Sequence, residues 1–454
     1  MAQALQPSWR YWVSLIAAAV SLRALVNLVF LGSMPLVSDA ASYAESAQDI
    51  LAHFPGSRAY YWPPGMPYVL AAAYALFGTG MVVARLTTML VDVLTVVAVT
   101  ALAFTVLPDS RAARLTGWIA ACYPPAIMMS GQPYAQQLAM LCLVVIASGL
   151  LLGFRRHRWG FFALAGAALG WGSLARPSMM SVGGVLGVLW VLLLGRSLRL
   201  GATERIRILS TGAVAFLLAA IVCVLPAMRH NASHGEGWTI SINNEKNFFL
   251  GNNPYTPHYK TFHIGQRDLD ALEPAARAYQ QRFRERPDGR RAMMQEALRY
   301  IAAHPLITLW RTLNRIRAYW GFDYVMSRQI QRSFDLDLWG LCLLLSVEAG
   351  GYVVLMILAL VGLLRAWRAG AMSGGGLVVL LILAYYAPYT LAYSGGTFRF
   401  PVMGLLMPFA GAGLWYALSH WRELARDRGV WVVLTLFGLI QVEYAYHAAR
   451  YASQ

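Results

Sequence analysis

The chain has 454 residues, 58% hydrophobic and 13% charged, with a mean hydropathy of +0.50. A soluble globular protein carries roughly a quarter charged residues, so this balance excludes an ordinary water-soluble fold and points to lipid as the solvent. The formal charge of +16 comes mostly from arginines scattered through short segments between apolar stretches, with no basic tail, which argues against a nucleic-acid partner.

A helix needs roughly 20 mainly apolar residues to cross the hydrocarbon core. The first such stretch, Tyr11–Leu31, is interrupted by Arg23 and lacks a following small-x-small site, so it reads as a retained span and not a signal peptide. Further spans are expected near Gly80–Val106, Ala113–Met129, Tyr134–Gly153, Gly160–Leu174, Met179–Leu194, Ile208–Leu225, Leu341–Leu364, Gly376–Tyr393, Pro401–Leu418 and Val430–Tyr446. Every second short loop carries arginines: Arg111 and Arg114; Arg155, Arg156 and Arg158; Arg196, Arg199, Arg205 and Arg207; Arg365 and Arg368; Arg422, Arg426 and Arg428. The positive-inside rule then puts the N-terminus in the cytoplasm and two longer segments, Gly32–Gly78 and Arg229–Gly340, outside. The chain divides into an N-terminal membrane core (1–228) with its first outer loop (32–78), an outer helical region (229–340) and C-terminal spans (341–454).

Within the first outer loop, Asp39 precedes a short amphipathic helix marked by Tyr43, Ala47, Ile50 and Leu51, followed by Tyr60-Tyr61-Trp62-Pro63-Pro64-Gly65-Met66-Pro67. An aspartate there either caps the helix or faces a site. In the second span Arg85, Thr88, Asp92 and Thr95 fall within about 80° of one another on the helical wheel. Such a stripe must face the bundle interior or a watery cavity, because a charge at mid-membrane costs about 2.5–3.5 kcal/mol.

In the second outer region, Leu269–Arg286 and Asp288–Ala303 read as helices, the latter stopping before His304-Pro305. Leu306, Leu309, Trp310, Leu313, Ile316 and Trp320 then recur at helical spacing, with Arg311 and Arg315 off the stripe, as in an amphipathic helix at the outer surface. His230 and His234, with His258 and His263 further on, offer metal-like spacing, but without a clear helical pattern or a fixed carboxylate partner they do not call for a metal. Asn231-Ala232-Ser233 is a weak glycosylation sequon, and the four cysteines show no paired spacing.

Three more features fall at outer ends or in the outer loop: Leu174-Ala175-Arg176-Pro177, Gly251-Asn252-Asn253-Pro254, and Phe398-Arg399-Phe400-Pro401 after Tyr393-Ser394-Gly395-Gly396. An interfacial arginine is commonly a headgroup anchor. Arg176 and Arg399, joined by Arg85, can instead clamp a phosphate, whose oxygens suit the guanidinium fork.

In this order the pieces resemble the membrane glycosyltransferases of the GT-C fold, in the bacterial branch related to protein O-mannosyltransferases and the lipid A aminoarabinose transferase. Asp39 and Tyr43 match a D-x-x-x-Y context after the first span, Pro63–Pro67 a P-P-x-x-P segment, Arg176-Pro177 a leucine-arginine-proline-like segment, Gly251–Pro254 a G-N-N-P motif, and Arg399 with Pro401 an R-x-P. The resemblance implies an all-α polytopic bundle of about eleven spans with outer amphipathic helices. It also implies inverting transfer of a sugar from a polyprenyl-phosphate donor to a periplasmic glycan, lipid or protein acceptor, at the outer face of the bacterial cytoplasmic membrane. Asp39 is then the base, with Tyr43, Tyr61, Arg85, Asp92, Gln136, Arg176, Asn252, Asn253 and Arg399 around the substrates. No cofactor is expected, a divalent metal being left open. Two departures stand out. Trp62 occupies the place before the paired prolines where the aminoarabinose transferase has a lysine, and Gln132–Gln137 lacks the acidic residue that relatives often bear after the third span. A transporter or flippase, and a non-catalytic binder of lipid-linked sugar, are the alternatives.

Overall fold

The computed structural model describes residues 7–256, 258, 273–284, 286, 288–370 and 374–452, which form helices with no strand among them. In chain order the first ten helices are α1 (Trp9–Ala24, continued as a π-helix over Leu25–Phe30), α2 (Asp39–Ala52), α3 (Gly65–Phe77), α4 (Met81–Val106), α5 (Ser110–Cys122), α6 (Pro124–Met129), α7 (Ala135–Arg156), α8 (Trp159–Ala175), α9 (Met179–Arg199) and α10 (Thr203–Ser233). They are followed by α11 (Asn244–Gly251), α12 (Pro274–Arg284), α13 (Gly289–Ala303), α14 (Pro305–Trp320), α15 (Val325–Phe334), α16 (Leu338–Arg368), α17 (Gly375–Leu391), α18 (Gly396–Ser419), α19 (Trp421–Arg426) and α20 (Arg428–Ala452).

Among the described residues eight helices are long and apolar enough to cross a membrane, and three more, α3, α8 and α17, are shorter but apolar. This is a multi-pass membrane protein. Every expected span falls on helix, with one correction: Ala113–Met129 is two helices, broken at Tyr123. Pro124 and Pro125 bring no N–H to the ladder, and the residue before a proline is pushed out of the α region; Tyr123 sits at φ −68°, ψ 107°. The helix expected to begin at Leu269 is described only from Pro274.

The bundle has its apolar side outward. On α4, Leu86, Leu90 and Leu94 are exposed, whereas Arg85, Thr88, Asp92 and Thr95 are buried, so the polar stripe faces inward. The Asp92 carboxylate accepts from Arg23 Nε at 2.5 Å, and Arg23 Nη1 donates to the Ala19 and Ala121 carbonyls. The arginine that interrupts the first span thus has its counter-ion on the second. Asp92→Asn leaves a buried cation uncompensated and is expected to cost about 3–5 kcal/mol, whereas Arg23→Met with Asp92→Leu removes both charges and recovers much of that loss. Thermal unfolding of the purified variants checks this; equal melting of the single and double variants removes the ion pair's assigned role.

Helix α14 is amphipathic in an inverted sense. Leu306, Leu309, Trp310 and Leu313 are exposed, while Arg311, Asn314 and Arg315 are buried beneath them. It packs against α17, α18 and α20, so the expected surface helix is seated on the spans with its polar side turned into the protein.

Candidate active site at the Asp39 end of the bundle

Asp39 occupies the first turn of α2 without capping it. The residue at the N-cap is Ser38, and no side-chain cap bond forms. Ser38 has φ 55° and ψ −133°, a sparsely populated conformation for a residue with a Cβ, which costs of order 1–3 kcal/mol and persists only where neighbours enforce it. Those neighbours are visible. Arg85 donates to the carbonyls of Asn27, Leu31 and Gly32 at 2.8–3.0 Å and also to that of Met34. Gln132 accepts from the Val37 amide at 3.2 Å and donates to the Pro35 carbonyl at 2.9 Å. The Tyr134 hydroxyl reaches the Val37 carbonyl and exchanges hydrogen bonds with Gln329. The segment feeding Asp39 is therefore held along its length.

Partly buried, the Asp39 carboxylate accepts no hydrogen bond among the described residues. Burial raises its pKa above the usual carboxylate value, and the nearby Arg176 charge draws it back. Tyr43, Tyr134 and Tyr393 also lie within electrostatic reach of it. Tyr43 is buried on α2, one turn beyond Asp39, and its ring meets Trp62 edge-on at 6.3 Å.

Arg176 follows the last residue of α8 in extended conformation. The turn is set by close packing. A Cβ on Gly65 would lie 2.6 Å from the Ala175 nitrogen, so only glycine lets the proline-rich segment approach here. Ser178 and Tyr389 hydroxyls meet at 2.9 Å, tying the turn to α17. The Arg176 guanidinium lies 5.2 Å from the Phe398 ring centroid, and Phe398 stacks on Tyr389. No hydrogen bond reaches that guanidinium among the described residues, and its Nε is buried without a partner. An acid and a guanidinium lie within electrostatic reach of each other, both with unused bonding capacity, and Tyr43, Tyr385, Tyr389 and Tyr393 lie within the same reach of Arg176.

The other expected site residues have different places. Arg85 spends its Nη donors on the backbone before Asp39, so it shapes the site from behind. Asp92 is not brought to the pocket; it is on Arg23. Arg399 donates to the Tyr319 and Gly321 carbonyls at the end of α14, with its guanidinium 3.6 Å from the Tyr352 ring centroid. Asn252 bonds the Phe248 and Leu391 carbonyls, and Asn253 those of Phe249 and Leu250. Arg311 and Arg315 fasten this loop to α14 and to the end of α17. Gly251 packs so tightly on the Ala392 carbonyl that a Cβ has no room. The G-N-N-P motif is thus a brace beneath Tyr393. Gln136 is buried and its Oε1 has no hydrogen-bond partner among the described residues. It shares a helix face with Met140 and Val144, which pack on Gly404 of α18. Tyr61 is exposed and within electrostatic reach of Tyr393.

Pattern reasoning missed Gln132, Tyr134, Tyr389 and Phe398. The sequence signal for the first two was a polar Gln-Pro-Tyr turn at a span end. The histidines serve local structure: His230 Nε2 donates to the Arg58 carbonyl, and its ring lies 4.5 Å from Tyr60. Among the described residues no cluster of three metal-ligating side chains forms; His263 lies outside them. The sequon Asn231 is fully buried, bonded to the Tyr60 amide and the Thr239 carbonyl.

Residues 62–226 match the family model of dolichyl-phosphate-mannose-protein mannosyltransferases. Among solved structures, the archaeal oligosaccharyltransferase AglB from Archaeoglobus fulgidus, in complex with an inhibitory peptide and a dolichol-phosphate, superposes with a TM-score of 0.53 at 14% identity. The match covers 98% of this chain and 56% of AglB, so the chain spans little more than half of that protein's length. ArnT from Cupriavidus metallidurans bound to undecaprenyl phosphate gives 0.42 at 18% identity, covering 90% of this chain and 78% of ArnT. Its apo form gives 0.40 at 17%, covering 89% and 76%. No curated protein matches the sequence. From the order of its spans to the superposition on AglB, this chain has the GT-C fold of the membrane glycosyltransferases.

Proposed function

We propose that this protein is an inverting glycosyltransferase that takes a sugar from a polyprenyl-phosphate donor and transfers it to an extracytoplasmic glycan, lipid or protein, at the outer face of a bacterial cytoplasmic membrane. The observation that carries the reading is the juxtaposition of Asp39 and Arg176, each with unsatisfied bonding capacity, at the end of the bundle opposite the arginine-rich loops. The family match and the dolichol-phosphate in the AglB complex support the donor class.

The chemistry needs little more. Asp39 accepts the proton of an acceptor hydroxyl as its oxygen bonds to the anomeric carbon. The anomeric C–O bond to phosphate breaks, and its electron pair leaves with the polyprenyl phosphate. A phosphate departs as a stable anion, so no second carboxylic acid is required, unlike ordinary glycoside hydrolysis. Arg176 meets the charge that develops on the departing oxygens. One displacement at one face inverts the anomeric configuration.

The test is a panel of polyprenyl-phosphate sugars supplied with candidate acceptors to the protein in nanodiscs, following release of polyprenyl phosphate and the anomeric configuration of the product. Transfer with inversion is expected. No transfer from any donor, with the same protein moving sugar-lipid across liposome bilayers, replaces the reading with a transporter.

A further inference from the structure

Lys246 is one of two lysines in the chain, and it stands in the first half of α11. Its ammonium donates to the Tyr61 hydroxyl at 3.0 Å and lies 5.6 Å from the centroid of that ring. No carboxylate pairs with it among the described residues, its chain neighbour Glu245 included. Tyr61 meets Trp62 edge-on at 5.1 Å, and Trp62 in turn meets Tyr43. Tyr61 is also within electrostatic reach of Tyr393, which is within reach of both Arg176 and Asp39. The lysine is therefore joined through the rings of Tyr61 and Trp62 to Tyr43, one turn beyond Asp39 on α2.

Charge accounting gives this cation a task. In the donor, phosphate is a diester with one negative charge. Once the sugar leaves, it is a monoester carrying about −1.5 to −2 at neutral pH. Arg176 matches the donor, and the extra charge that appears during the reaction has no partner on α8 or α17. We propose that Lys246, steadied by Tyr61, is the second cation of the pocket and binds the phosphate as its charge grows. This assignment rests on the donor reading above and adds the residue that favours the departing group over the intact donor.

Equilibrium binding of polyprenyl monophosphate and of uncharged polyprenol to the full-length protein in nanodiscs tests it. Lys246→Ala is expected to weaken monophosphate binding by roughly ten- to a hundredfold, the range of a charge-assisted contact, and to leave polyprenol binding unchanged. Lys246→Arg keeps the charge and recovers most of the loss. In turnover, Lys246→Ala lowers kcat more than it raises KM. Monophosphate binding at the wild-type level in Lys246→Ala, with loss in Arg176→Ala, overturns the role of Lys246 and spares the donor pocket. Equal weakening of monophosphate and polyprenol, unrescued by arginine, makes Lys246 structural and overturns the proposal as well. Unchanged binding in both alanine variants removes the pocket itself.

Discussion

Asp39→Asn is expected to lower sugar transfer by about 10²–10⁴-fold, the range contributed by a positioned general base. The amide has nearly the shape of the carboxylate and cannot take the acceptor proton. Because the Asp39 side chain accepts no hydrogen bond among the described residues, the replacement breaks no fold-holding contact, and thermal stability should stay near wild type. Donor binding should be unchanged or slightly tighter, since the removed charge repelled phosphate. Turnover within a few-fold of wild type would sink the assignment.

The pH profile gives a second readout of the same group. The base must be ionised, so kcat/KM falls as pH drops through the pKa of Asp39. Burial raises that pKa and Arg176 lowers it, with burial prevailing. The acid limb therefore lies above the ordinary carboxylate range. Removing the Arg176 charge disfavours the ionised form further, so Arg176→Gln should move the limb to still higher pH. A limb that stays in place means the two groups do not share one pocket.

The membrane architecture was legible because lipid imposes a coarse rule on sequence: spans are long, apolar and flanked by unequal charge. The same rule hid the break at Tyr123, where hydropathy runs on while Pro124 and Pro125 interrupt the hydrogen-bond ladder. Asp39 and Arg176 were also readable, as polar residues at span ends in a resemblance to known motifs. The partners of the remaining arginines were not. Arg85 and Arg399 finish on backbone carbonyls of distant helix ends, and every residue type offers such a carbonyl, so no pattern marks them. Arg23 is the instructive case. A cation within an apolar run demands a counter-charge, and the fold supplies it in Asp92 of the next span, which the resemblance places around the substrates. Lys246 shows the opposite limit: its partner Tyr61 lies 185 positions away, and only the fold joins them.

The three outer-end arginines now separate by what their guanidinium groups hold, and this sets the second large effect. Arg176→Ala is expected to lower turnover by about 10²–10³-fold, the loss typical when a donor aimed at developing charge is removed. Its folded-state contact is the face of Phe398, with no hydrogen bond among the described residues, so stability should change little. Arg176→Lys restores the charge as a point without the planar fork and should recover only part of the rate. Arg85→Ala and Arg399→Ala should behave differently. Arg85→Ala strips donors from four buried or partly buried carbonyls and Arg399→Ala from two, at about 1–3 kcal/mol for each group left unsatisfied, and each lowers the melting temperature first. Any loss of turnover in these two should follow the loss of folded protein. Melting curves and transfer rates measured side by side on the three alanine variants decide the matter. If Arg176→Ala melts early and the surviving fraction turns over normally, the guanidinium is a brace like the other two, and Asp39 has no cation opposite it to receive the phosphate.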